Sequence, residues 1–117
     1  PPQIGFLTNL THLKLSDNQL TGEIPYEIGN LTNLNVLMLS WNQLTGEIPS
    51  EIGNLTNLYY LWLNNNQLTG EIPESICDLN IDWSDYWDFN ISNNQLCPPY
   101  PSCIEDYVGE QDTSDCD

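Results

Sequence analysis

The side chains able to do chemistry in this 117-residue chain are unevenly supplied. Seventeen Asp and Glu, four Trp, six Tyr and four Cys stand against one His, one Lys and no Arg. The single imidazole, His12, sits between Thr11 and Leu13-Lys14, with nothing to indicate a partnered nucleophile, so a Ser/His/Asp set could form only by accident. Carboxylates are so abundant that any one pair is uninformative, and glycoside hydrolysis would also need a cleft. Cys77, Cys97, Cys103 and Cys116 contain no C-x-x-C pair of the kind zinc favours. The inventory is that of a non-catalytic protein, and the chemistry left to it is recognition by aromatic rings, amides and carboxylates.

A repeat decides where those groups stand. Leu13–Pro25 returns almost letter for letter as Leu37–Pro49 and Leu61–Pro73, a period of 24 residues, and a weaker copy, Phe89–Pro101, follows after 28. Periods of this size make solenoids, in which each unit is one coil that cannot bury its apolar side alone. Leu13/Leu15, Leu37/Leu39, Leu61/Leu63 and Phe89/Ile91 alternate with other residues, the period of a strand with one buried face, and are expected to stack into a parallel sheet. Further apolar columns run through Leu20, Leu44, Leu68 and Leu96, through Ile24, Ile48 and Ile72, and through Ile28, Ile52, Ile76 and Ile104. Asn18, Asn42, Asn66 and Asn94 form a column whose amides can satisfy backbone groups in a turn. Gly22, Gly46 and Gly70 permit unusual backbone angles, and the Ile-Pro pairs after them enforce extended chain, so irregular or short helical turns are expected on the convex side.

While the framework letters barely change between repeats, the outward strand letters differ sharply. Their columns read His12, Val36, Tyr60, Asp88; Lys14, Met38, Trp62, Asn90; Asp17, Trp41, Asn65, Asn93; and, flanking them, Thr11, Asn35, Tyr59, Trp87. Met38, Trp41, Tyr59, Tyr60, Trp62, Asn65 and Trp87 are therefore the candidate binding residues, since aromatics and Met clustered on one exposed face are typical interface composition. The competing expectation is that these rings cover one another or pack beneath the extra residues of the last repeat.

The pattern L-x-L-x-x-N-x-L-T-G-x-I-P resembles the plant-type leucine-rich repeat found in receptor ectodomains and secreted inhibitor proteins. The resemblance covers roughly residues 1–101 and implies an α/β-type solenoid with a parallel sheet on its concave face, serving as an extracellular recognition scaffold without catalysis. Residues 102–117 lack the motif and read as a C-terminal cap. Pro1 aligns with Pro25 in mid-repeat, so the chain is expected to be a mature or truncated piece of a longer protein, with Ile4, Phe6 and Leu7 exposed at an uncapped coil.

A formal charge of −16 excludes nucleic acid, which needs clustered cations, and disfavours an anionic membrane surface. No stretch approaches the roughly 18 apolar residues that a spanning helix needs. Glu23, Glu47 and Glu71 should stack in one repelling column, as a solvated acidic face. The alternative is calcium held between carboxylates at Asp82, Asp85 and Asp88 or at Glu105-Asp106, although no loop has a known calcium-binding spacing. No other cofactor is indicated.

Four cysteines confined to the last third indicate two disulfides closing that end of the solenoid, hence an oxidising, secreted or cell-surface setting. Three connectivities are open. Aligning the repeats favours Cys77–Cys103 with Cys97–Cys116, and Cys97–Cys103 across the Pro-rich loop is the rival. N-x-[ST] sequons at Asn9, Asn30, Asn54 and Asn90 would accept glycans on a eukaryotic secretory route, or serve only turn chemistry. Two functions fit. One is an extracellular recognition or adhesion module binding a protein, peptide or carbohydrate through the concave face. The other is a structural subunit that self-assembles through its N-terminal end into a glycosylated filament or sheath.

Overall fold

A computed structural model describes residues 2–116. Pro1, aligned above with Pro25, lies outside the described residues. Short strands form where the leucine alternation places them: β1 His12–Lys14, β3 Val36–Met38, β5 Tyr60–Trp62 and β7 Phe89–Asn90. They pair in parallel in the order β1-β3-β5-β7. The register sets Leu13 beside Leu37, Leu61 and Phe89, and Lys14 beside Met38, Trp62 and Asn90. Inward side chains thus stack leucine on leucine, with Leu37 and Leu61 fully buried.

A second parallel sheet, not anticipated from sequence, runs beside the first. It comprises β2 Thr21–Glu23, β4 Gln43–Gly46, β6 Gln67–Glu71 and β8 Gln95–Cys97, in the order β2-β4-β6-β8. Glycine is required within it. Gly46 and Gly70 have φ of 77° and 75°, and a Cβ on either would stand 2.7 Å from the Cγ of Glu23 or Glu47, which lies across it from the preceding coil. The convex side carries 3-10 turns at Pro2–Phe6, Tyr26–Asn30, Ser50–Asn54 and Glu74–Asp78, the last three each entered from a proline in extended conformation. These turns drop Ile28, Ile52 and Ile76 into the core.

Between the two sheets the asparagine column joins one coil to the next. Asn66 Nδ2 donates to the carbonyls of Leu39 (2.9 Å) and Leu63 (3.2 Å), and its Oδ1 accepts from the Leu44 amide at 3.0 Å. Asn42 and Asn94 repeat the arrangement. Where a fifth coil would supply its asparagine, the cap supplies Gln111 instead. Gln111 Nε2 donates to the Ile91 and Val108 carbonyls, each at 2.8 Å, and its Oε1 accepts from the Leu96 amide at 3.0 Å.

Disulfides join Cys77 to Cys103 and Cys97 to Cys116, with Cα–Cα distances of 5.9 and 5.8 Å. Together with buried Pro101, Ile104 and Val108 they close the last coil. At the opposite end Leu15 and Leu20 are exposed whereas their equivalents Leu39, Leu44, Leu63 and Leu68 are buried, and Phe6 and Leu7 face solvent. Among the described residues no helix is long and apolar enough to cross a membrane.

Candidate recognition surface

The concave sheet presents its outward residues in the columns the repeat dictates, with one correction. Val36 was expected to face solvent with its column, but it is 2% exposed. Its short side chain lies in register between the longer His12 and Tyr60 of the adjoining strands. Met38, Tyr60, Trp62 and Asn65 are half-buried, while Trp41, Tyr59 and Trp87 are exposed.

Trp41 carries an unusual backbone. Its φ is 56°, and the equivalent residues Asp17, Asn65 and Asn93 have φ of 59° each. Asp and Asn tolerate the left-handed region because their short polar groups bond locally, whereas a tryptophan there is strained. The turn is built by the fold itself, since the amide of Trp41 donates to the Asn64 carbonyl at 3.0 Å and that of Asp17 to Ser40 at 3.1 Å. An indole therefore sits 58% exposed at a position that local chemistry assigns to Asp or Asn. No other ring stacks on it among the described residues.

The extra residues of the long repeat settle on the same face, as the competing expectation had it in part. Trp62 Nε1 donates to the Trp87 carbonyl at 2.7 Å, and the two rings lie 6.2 Å apart at 36°. Tyr86 stacks on Trp87 at 5.0 Å and 29°. Trp83 turns the other way and meets buried Phe89 edge-on at 4.8 Å. Tyr59 and Tyr60 form a further tilted pair at 4.9 Å. The face thus holds two ring clusters and the isolated Trp41. Tyr86, 64% exposed, was missed in sequence because it lies in the inserted segment and has no counterpart in other coils. Asn64 was missed too. It replaces a serine of the other coils, donates to Asn65 Oδ1 at 2.7 Å, and keeps its own Oδ1 buried without a hydrogen-bond partner among the described residues.

Carboxylate oxygens of Asp82, Asp85 and Asp88 all lie within 4.8 Å of one another. Partial burial, then repulsion from Asp85 and Asp82, raises the Asp88 carboxyl above the ordinary Asp value. Asp82 accepts from the amide and hydroxyl of Ser84, and Asp85 from the Trp87 amide, so the cluster folds its own turn. Of the sequons, Asn9, Asn30 and Asn54 are exposed, whereas Asn90 Oδ1 accepts from the Ser92 amide and hydroxyl at 3.0 and 2.7 Å.

The Leucine Rich Repeat family model matches residues 9–31, 33–55 and 57–79. No curated protein sequence matches the chain. Among solved structures it is similar to a chain in the complex of the Arabidopsis receptor kinase HAESA with the peptide hormone IDA and the co-receptor SERK1. That likeness has 40% identity and a TM-score of 0.81, over 94% of this chain and 19% of that one. It is also similar to the ectodomain of the receptor kinase SOBIR1 from Arabidopsis thaliana (30% identity, TM-score 0.79, 95% of this chain and 58% of that one). A third likeness is to the Arabidopsis thaliana BIR3–SERK2 complex (31%, TM-score 0.75, 94% and 60%). The chain spans less than two thirds of each.

Proposed function

The chain belongs to the leucine-rich-repeat family, and from that premise we propose that it is a non-catalytic extracellular recognition module whose concave sheet binds an extended peptide or protein segment. Met38, Trp41, Tyr59, Tyr60, Trp62, Asn65 and Trp87 make the contact. Trp41 carries the reading. A strained backbone is kept where the rest of the structure imposes it, and its side chain here is an exposed indole that packs on no other ring. Trp and Tyr dominate binding hot spots because they offer large, stiff, amphipathic area. The likeness to a receptor kinase crystallised with a peptide hormone supports the ligand class.

Panning a displayed random-peptide library on the protein tests this. Enriched peptides should bind the wild type and lose roughly tenfold or more on Trp41→Asn with Trp87→Ala, the scale expected of two hot-spot truncations. The far-UV CD should not change. Equal binding to both proteins would remove the face from consideration, and enrichment on a glycan array alone would assign it to carbohydrate.

A further inference from the structure

Resting on the concave-face reading, we infer that the ligand is a cationic peptide whose arginine side chains lie across the Tyr86–Trp87–Trp62 rings. The rings are set before any ligand arrives. The Trp87 backbone is held by its N–H, which donates to Asp85 Oδ1 (2.9 Å), and by its carbonyl, which accepts from Trp62 Nε1 (2.7 Å), and its ring stacks on Tyr86. The only polar atom of the Trp62 ring is committed by that bond, so the ring offers a ligand nothing but its π surface. Trp87 and Tyr86 remain 59% and 64% exposed. An exposed aromatic face attracts cations, and a guanidinium both stacks on indole and forks to a carboxylate.

Charge selects the same occupant. The molecule carries −16 with a single Lys and no Arg, so an acidic peptide is repelled from every direction. Lys14 lies on β1, at the far side of the sheet from the β7 end where the rings cluster. Beside the rings stand Asp82, Asp85 and Asp88, whose mutual repulsion a cation would relieve. Burial first, and then repulsion from Asp85 and Asp82, raises the Asp88 carboxyl.

The probes are a flexible synthetic peptide with arginine at alternate positions and a twin with citrulline, its neutral isostere, in place of arginine. Titration calorimetry and tryptophan fluorescence are read on four proteins. These are the wild type, Tyr86→Ala with Trp87→Ala, Asp82→Asn with Asp85→Asn and Asp88→Asn, and a control with Glu23→Gln, Glu47→Gln and Glu71→Gln. The control removes as many charges from the other sheet, and Asn keeps the acceptor oxygens that fold the 82–88 turn. The arginine peptide should bind the wild type at least about tenfold more tightly than its twin. The ring variant and the Asp variant should each weaken it by at least that factor, and the Glu variant by much less. The inference is overturned if the arginine peptide fails to bind, or if both charge variants weaken it equally, which would mean diffuse attraction only. If the twin binds as well as the arginine peptide and the ring variant loses both, the concave-face reading stands while the cation falls. If neither peptide responds to loss of the rings, the inference falls and the concave-face reading rests on the library alone.

Discussion

Trp41 occupies a left-handed backbone conformation that costs an L-residue about 1–2 kcal/mol, and Asn recovers part of that through local hydrogen bonding. Trp41→Asn should therefore stabilise the protein by about 1 kcal/mol in chemical denaturation while it weakens ligand binding. Loss of stability instead would mean that the indole is a packing residue, and the face would lose its best argument. Asp88 makes a second prediction with a sign. Its folded-state carboxyl is raised, so the native state holds that proton more tightly than the unfolded chain does. Its ionisation therefore opposes folding, with stability highest below the ordinary Asp value of 3.8 and falling as pH rises through the higher folded value. Asp88→Asn should raise Tm at pH 7 and make no difference near pH 3. A gain of the same size at both pH values would show that packing, not charge, was the cause.

Between coils, the stabilising element is the amide ladder, and its last rung is a glutamine from the cap. Removing Gln111 leaves the Leu96 amide and the Ile91 and Val108 carbonyls without their side-chain partner. Gln111→Ala should cost about 1–3 kcal/mol, and Asn66→Ala, deeper in the ladder, at least as much, by urea denaturation. A neutral Gln111→Ala would mean that water replaces the side chain freely and that the cap is held by its disulfides, its buried Ile104 and Val108, and its backbone bonds. The rungs at Asn18, Asn42, Asn66 and Asn94 were legible in sequence because a side chain with a job repeats as a letter. Gln111 was not, because it does the same job outside the period. The second sheet escaped for a related reason, since it is built from backbone bonds through Thr-Gly-Glu segments that carry no apolar alternation. The longer fourth repeat was visible as a change of spacing. Trp87 was placed on the concave face by its column, whereas Tyr86 was not, and its position follows from Asp82 and Asp85 bonding within the turn.

Across the whole molecule the core is a line of stacked apolar side chains, so each coil is only as stable as the neighbours it touches. The disulfides act at one end of that line. Cys77–Cys103 ties the turn at Glu74–Asp78 to the cap, and Cys97–Cys116 ties β8 to the chain beyond Gln111, so both stabilise the coil that carries the Tyr86–Trp87 rings. Reducing a disulfide of this kind commonly costs about 2–5 kcal/mol. In a globular core that loss would be shared by every residue. Here it should fall on β7 and β8 first and then on β5, whose Leu61 amide is bonded to the Asp88 carbonyl, while β3, with Leu37 fully buried between flanking coils, holds longer. Hydrogen exchange before and after reduction measures this directly. Amides of Leu61, Leu63 and Asn65, bonded to carbonyls of the last coil, should lose protection early, and those of Leu39 and Trp41 later. Simultaneous loss along the chain would mean that the coils fold as one cooperative unit. The graded outcome would tie binding to an oxidising environment, because the ring cluster is carried by the coil that the disulfides help to close.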